Sequence, residues 1–405
     1  MRDRLRRVVY GRAMEIQRVA VIGAGLAGSE AAWQIAQQGV EVDLYEMRPS
    51  RPTPAHQTNQ FAELVCSNSF GSDGAASAPR MLKDELHALG AFVLGCARKH
   101  QVPAGNSLAV DRVAFSEEVT KALSSHPRIT IHREEVTSLP ESGITVVATG
   151  PLTSESLAKD LAGRLGERSL YFYDAISPIV SADSLDMETI FRANRYGKGD
   201  SQDFLNIPLT KEQYETLIDD LLNAEVVLPH DFEEERYFEG CMPIEAIAAR
   251  GRMTLAFGPM RPVGLIDPRT NRRSFAVIQL RTENAFFTAY NLVGFQTKLK
   301  YPEQLRIFRK LPGLENAEFL RLGCMHRNTY LDSPRILDSN LRLRSSSPPT
   351  YFAGQITGVE GYVESGATGI LAGCFAASLL MDHPVESPPR ATAVIAGLTV
   401  WWWYM

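Results

Sequence analysis

The segment Arg18-Val-Ala-Val-Ile22, followed at once by Gly23-Ala-Gly-Leu-Ala-Gly28 and a helical stretch from Ser29 to Gln38, restricts the fold more than any other feature of this chain. Val19 to Ile22 is apolar and mostly β-branched, as a strand buried on both faces should be. The glycine spacing G-x-G-x-x-G has a mechanical reading in this context. Gly23 allows a tight turn, Gly25 lets backbone approach a pyrophosphate, and Gly28 lets the helix pack close to the strand. The helix start then offers unpaired N–H groups and partial positive charge to phosphates. A second strand, VEVDLYE, closes on Glu46, eighteen residues past Gly28 and placed to accept from a ribose 2′-OH, which favours FAD or NAD over NADP. A glycine turn without a ligand is the alternative.

The same grammar returns twice. ITVVATG, residues 144–150, reads as a short buried strand ending in a small-residue turn at Thr149 and Gly150. Near the other end, Tyr351-Phe-Ala-Gly354-Gln355, then Gly358, Gly361 and the small-residue helix Gly366 to Ala376, reads as a second strand-to-helix turn approaching the same ligand. A late helix start facing a flavin ring stabilises negative charge on its reduced form, so FAD is preferred to NAD. The other reading of this segment is a helix packed tightly through glycine and alanine. The candidate cofactor contacts are therefore Gly23, Ala24, Gly25, Leu26, Ala27, Gly28, Glu46, Thr149, Gly150, Gly354 and Gly361.

Between these landmarks, from about residue 200 to about residue 323, the chain is richer in charge and mixes strands with helices, the pattern of an insertion into a nucleotide-binding fold. The expected organisation is an N-terminal extension (1–16), a first part of the FAD-binding domain (17–199), an inserted substrate domain (200–323), a return segment (324–383) and an atypical tail (384–405). Met14, just before the first strand, is the expected natural start. The fold class expected is α/β: a Rossmann-like FAD-binding domain of the glutathione-reductase type with an inserted α+β domain. With 405 residues, 44% hydrophobic, there is material for one large core or two moderate ones. The Arg-rich start lacks the apolar run of a secretion signal, and no run of eighteen or more uninterrupted apolar residues occurs, so a cytoplasmic location is expected.

The five cysteines are far apart and form no C-x-x-C pair, which argues against zinc or a redox disulfide; no metal is expected. Cys66 lies in FAELVCSNSF among polar donors, and Cys241 lies in FEGCMPIE between Gly240 and Pro243. Exposed turn cysteines beside donors suit nucleophilic use; buried packing is the alternative for both. Cys96, Cys324 and Cys374 sit in apolar or helical settings and are assigned to packing. The net charge of −5 speaks against a protein that coats nucleic acid non-specifically, yet Arg250, Arg252, Arg261, Arg269, Arg272 and Arg273 face only one acid, Asp267, within residues 250–273. Such a cluster reads either as a phosphate-binding patch or as ordinary solvated surface.

Together these motifs resemble one family, the bacterial folate- and FAD-dependent tRNA (uracil-5-)-methyltransferases. The resemblance is carried by VIGAGLAGSEAAWQIAQQGVEVDLYEMRP, TPAH, FAELVCSNSF, VPAGNSLAVDR, ITVVATGPLTSE, YFYDAISPIV, FEGCMPIE, FGPMRPVGL, LVGFQTKLKYPEQ, LPGLENAEF, MHRNTYL and GVEGYVESGATG, spanning about Arg18 to about Ser378. The larger flavoproteins that modify the tRNA wobble uridine share mainly the nucleotide motif and the late glycine turn. The resemblance implies methylation of C5 of the T-loop uracil, tRNA position 54, with 5,10-methylenetetrahydrofolate as carbon donor, reduced FAD as reductant, and NADH or NADPH to regenerate it. It implies Cys66 and Cys241 as the functional thiols, Cys66 read as nucleophile and Cys241 as the group removing the C5 proton, with the reverse order open. A thiolate adding at C6 makes C5 nucleophilic. For the folate it points to His326, Asn328 and Tyr330 in MHRNTYL and Arg261 in FGPMRP, a structural histidine being the alternative for His326. Arg250, Arg252, Arg272 and Arg273 are the expected tRNA phosphate contacts, around a base that must be extruded from its loop.

The chain departs from the family after about Asp382, where HPVESPPRATAVIAGLTVWWWYM replaces the expected continuation; a frameshift or truncation is the working explanation. Two further readings stay open on sequence: a flavin oxidoreductase acting on a small molecule, and a catalytically impaired relative.

Overall fold

The computed structural model describes residues 18–165, 169–197, 203–227, 237, 242–344 and 346–381, with the side chains of 169–174, 326 and 327 excepted. The expected N-terminal extension, the tail from 384 and the Cys241 position lie outside the described residues.

Strand β1 (Arg18–Ile22) is the centre of a five-stranded, all-parallel sheet. It pairs on one side with β2 (Glu41–Tyr45), which pairs in turn with Ile129–His132, and on the other with Ile144–Val147, which pairs with Thr350–Phe352. Central strands of parallel sheets are covered on both faces, and Val19, Val21, Val42, Leu44, Val146 and Val147 are accordingly sealed from solvent. Helix α1 (Leu26–Gln37) begins three residues before the expected Ser29, with Gly25 as its N-cap. Its buried Glu30 accepts from the backbone N–H groups of Phe92 and Val93 at 2.9 and 2.7 Å, the first turn of helix Phe92–Lys99. A carboxylate thereby satisfies donors that a helix start leaves unpaired.

The long helix Tyr362–Met381 lies directly on α1. A Cβ on Gly369 would sit 2.4 Å from the Ala27 carbonyl oxygen, and one on Gly373 would sit 2.8 Å from that of Ala31. The two helices thus approach at backbone distance along matched stripes of small residues four apart. This helix has the length and composition to cross a bilayer, but it is packed inside the protein.

The second body is a six-stranded antiparallel sheet in the spatial order Phe191–Arg192, Leu205–Leu209, Ala276–Thr282, Ala289–Leu292, Ile179–Ser181, Phe319–Arg321. Two of these strands precede residue 200, so this body takes up the chain earlier than the expected boundary; the pairing of Ile179 with Asn291 is long-range and leaves no local mark. Helix Lys211–Asn223 covers the sheet, started by a capping box between Thr210 and Gln213 and seated through Tyr214, Leu217, Ile218 and Leu221. An antiparallel ribbon of Ser169–Ala175 with Met325–Leu331 carries the chain between the bodies.

Because the helix crossing has no room for side chains, Gly369→Val is expected to lose about 3 kcal/mol or more of stability, read as a lowered thermal midpoint. The same substitution at Gly366, where an added Cβ meets nothing within 4 Å, should be far milder.

Candidate functional site

The carboxyl ends of β1, β2 and Ile144–Val147 open onto one groove of about 1030 Å³, continuous with solvent. Ligands of open α/β sheets bind at this edge. Gly23, Gly25, Leu26, Ala27, Glu46, Thr149, Gly150 and Gly354 all line it. Gly28 and Ala24 act from behind. A Cβ on Gly28 would fall 1.7 Å from the Gly23 carbonyl oxygen, whereas one on Gly25 would meet nothing within 4 Å, so the loop is tight beneath and open above, where a pyrophosphate needs room. Gly23 itself has φ +96° and no space for a side chain, with the Ala148 carbonyl oxygen at 2.6 Å from a built Cβ. These residues fit a dinucleotide. Gly361 does not line the groove but starts the turn into Tyr362 and Ser365, which do.

The Glu46 carboxylate accepts from Ala24 N through Oε2 at 3.2 Å and from Arg48 N and Nε through Oε1 at 3.1 and 2.9 Å. Burial works against its charge, but the Arg48 hydrogen bonds and positive charge outweigh burial and hold the carboxyl below its ordinary range. Arg48 also donates to Glu63 Oε2 at 3.0 Å and to the carbonyls of Thr58 and Gln60. It thereby ties the groove floor to the segment leading to Cys66. His56 lines the groove with its Nδ1 2.6 Å from Thr53 Oγ1. Burial first, and then Arg48, push its pKa down to about 4, so it is neutral at physiological pH. Arg48 and His56 stand in quoted motifs, EMRP and TPAH, but periodicity and spacing give neither a role; only their burial against Glu46 and Glu63 does.

Cys66 is half-buried beside the groove, adjacent to Val65, which lines it. Its Sγ lies 3.9 Å from the Ala175 carbonyl oxygen. The backbone N–H groups of Cys66 and Ser67 both donate to the Tyr362 hydroxyl oxygen, at 3.2 and 3.1 Å. Complete burial first, and then the Cys66 sulfur, raise the phenol's pKa, so Tyr362 is a neutral clamp. Arg281 reaches the same loop from the second sheet, and Arg112, at the start of helix Arg112–Ser124, pairs with Glu283 and donates to Leu64 O at 2.6 Å. Burial pushes the other described thiols up, Cys96 to about 12, with Cys324 and Cys374 shifted in the same direction.

The remaining candidates are less gathered. Asn328 and Tyr330 are buried on the ribbon strand Met325–Leu331, which packs against the turn Gln355–Thr357, and the Asn328 Nδ2 has no hydrogen-bond partner among the described residues. His326 occupies the same strand, opposite Asp174, with its side chain outside the described ones. Arg261 is exposed and does not line the groove; its carbonyl accepts from Arg195. Arg250, Arg252, Arg272 and Arg273 are exposed, Arg252 paired with Asp219, an acid outside the 250–273 window, at 2.6 Å. Cys241 lies outside the described residues, so its distance from Cys66 is not part of this geometry.

Arg48→Met strands two buried carboxylates. It is expected to lose about 3–5 kcal/mol in urea denaturation at neutral pH. Since the native Glu46 carboxyl titrates below its unfolded value, its contribution is complete above that value and disappears as pH falls through the depressed one. The difference between variant and parent should therefore hold down to the ordinary carboxyl value of 4.5 and shrink below it; a difference that stays constant on further acidification while the parent is still folded would contradict this assignment.

Residues 18–384 match the family model described as glucose inhibited division protein A. The chain is 55% identical over 376 residues to "Methylenetetrahydrofolate--tRNA-(uracil-5-)-methyltransferase TrmFO" of Desulfitobacterium hafniense, covering 93% of this chain and 86% of that protein. It is 56% identical to the protein of the same name in Geobacter sulfurreducens, with the same coverage. Among solved structures, Aquifex aeolicus GidA superposes with TM-score 0.71 at 18% identity, covering 95% of this chain and 69% of that one, and its second crystal form gives 0.69; at that identity the likeness speaks for the fold alone. A family model spanning nearly all of the described chain, joined to identities above one half in sequence, places this protein within the family of methylenetetrahydrofolate–tRNA-(uracil-5-)-methyltransferases, TrmFO.

Proposed function

We propose that the protein methylates C5 of a uracil in tRNA, using 5,10-methylenetetrahydrofolate as carbon donor and reduced FAD as reductant. The observation that carries this reading is the Tyr362 clamp: one hydroxyl joins the Cys66 loop to the helix start that borders the dinucleotide groove. A nucleophilic thiol held at the rim of a flavin site suits a reaction in which a pyrimidine must be activated and a one-carbon unit reduced. The T-loop uracil at position 54 is the proposed target, NADH or NADPH the proposed source of electrons, and the cytoplasm the proposed location.

Gly23, Gly25 and the α1 start would hold the pyrophosphate, and Glu46 the ribose. The Gly354–Tyr362 turn would face the flavin ring. Bound FAD, once reduced, supplies the hydride that turns methylene into methyl. Cys66 adds to C6 of the extruded base, which makes C5 nucleophilic toward the one-carbon unit, and Cys241 takes the C5 proton. Tyr362, neutral and committed to two backbone N–H groups, keeps the Cys66 backbone in place through both steps. Asn328, whose buried Nδ2 has no partner among the described residues, is the proposed folate contact with the most support from the geometry. The exposed arginines of residues 250–273 would meet tRNA phosphates.

Incubation with undermodified tRNA, methylenetetrahydrofolate and NADH or NADPH should yield 5-methyluridine by mass spectrometry. Cys66→Ala and Cys241→Ala should each lower product formation by roughly three orders of magnitude while retaining bound flavin. Full activity of either variant would remove that thiol from the mechanism.

A further inference from the structure

The motif FGPMRP, residues 257–262, stands apart from the groove, and its first residue is a large apolar side chain left in water. Phe257 is 77% exposed at the end of the short helix Thr254–Phe257, and Met253, which caps the other end, is 42% exposed. Leu255 and Ala256 between them are buried in the core of the second body. Those two residues take the inner face of the turn, and Met253 and Phe257, four positions apart, share the outer one. With Gly251, Arg252, Thr254 and Gly258 they line a concavity open to solvent.

The ring is not presented by a loose loop. Tyr214, sealed in the core on helix Lys211–Asn223, donates through its hydroxyl to Arg252 O at 2.7 Å and accepts from Ala256 N at 3.2 Å. One phenol thus joins the turn before the short helix to the helix itself, and Phe275 packs on the Tyr214 ring with centroids 5.3 Å apart. Beyond Phe257, Pro259 meets Gly294, where an added Cβ would fall 2.5 Å from the proline Cβ. Arg195 then donates to the carbonyls of Arg261 and Val263 at 2.7 and 2.5 Å. An aromatic side chain on so fixed a backbone loses little freedom when a partner covers it.

Charge selects the partner. From Ala246 to Ile266 the sequence holds three arginines, Arg250, Arg252 and Arg261, and no acid. All three are exposed, Arg252 being paired with Asp219 on the Tyr214 helix. A protein docking through apolar contact with Phe257 would have to desolvate these guanidinium groups, which is costly. An unpaired nucleotide offers a flat ring to the phenyl face and phosphates to the cations.

We propose that Phe257 is a stacking platform for an unpaired base of the RNA substrate, with Arg250 and Arg261 on the adjoining phosphates. The concavity and the dinucleotide groove share no residue, so the stacked base is one other than the base that reacts. FGPMRP then serves the RNA, in agreement with Arg261 standing outside the groove. This proposal deepens the tRNA reading above and rests on it, whatever the division of labour between the thiols.

The test is equilibrium binding of end-labelled, undermodified tRNA to the flavin-loaded parent and its variants, read by fluorescence anisotropy over a range of salt concentrations. Phe257→Ala is expected to weaken binding about tenfold with the salt slope unchanged, since no phosphate contact is lost. Phe257→Tyr should recover the parent affinity to within about threefold. Arg261→Gln should instead lower the salt slope by about one. In Phe257→Trp, tRNA should quench emission that the parent lacks. Parent-like affinity of Phe257→Ala, or a loss that Phe257→Tyr does not recover, would overturn the proposal. So would altered sedimentation of Phe257→Ala with its RNA affinity intact, which would mark the ring as a contact between copies of the chain. A parent that does not bind tRNA removes the underlying reading and the proposal with it; a parent that binds and methylates tRNA beside an indifferent variant removes the proposal alone.

Discussion

The crossing of α1 with the helix Tyr362–Met381 is the constraint from which the site follows. Ala27 and Ala31 present carbonyl oxygens where Gly369 and Gly373 leave no side chain, so the helices meet at backbone distance. That contact places the last helix start beside the Gly23–Gly28 loop although some 340 residues separate them. Gly354, whose added Cβ would fall 2.8 Å from that of Ala27, extends the same close fit into the late turn. With this start anchored, Tyr362 reaches the backbone of Cys66 and Ser67, and the thiol is carried to the groove rim. Packing of small residues thus determines where reactive ones stand.

The second organising effect is the way buried charge is distributed. Arg48 is shared between Glu46 and Glu63, and Arg112 is matched to Glu283, so each of these carboxylates has a cation bonded to it. Breaking such a pair is expensive because the remaining ion has lost its solvation. Around Cys66 the balance differs: Arg281 is bonded to a hydroxyl and an amide oxygen, and the nearby carboxylate is already taken. The two bodies therefore meet across a polar seam that includes the two residues after the thiol.

Much of the nucleotide-binding half was legible because its signals are local. Strand β1, the glycines of 23–28, the acid Glu46 and the strand at 144–147 lie in short windows where periodicity and turn chemistry speak directly, and they converge on one groove. The start of α1 was misplaced by three residues because Gly25, a cap without a side-chain bond, gives no lettered signal. The early entry into the second sheet was missed because Ile179–Ser181 is only three residues long and is a strand by virtue of partners more than a hundred positions away. Arg261 looked like a site residue beside FGPM, yet it stands exposed and away from the groove, since its turn is positioned by Arg195.

The amino-acid order alone established a parallel α/β nucleotide fold, the glycine loop and the acid that line its groove, and the motifs that mark the family, because each depends on backbone geometry encoded within a few residues. Folding in three dimensions decided that Tyr362 clamps the Cys66 loop, that Arg48 serves two carboxylates, and that Arg281 bonds the two residues after the thiol. Those facts depend on which side chains from distant segments share a small volume and on how many hydrogen bonds each has already made, quantities that no local window contains.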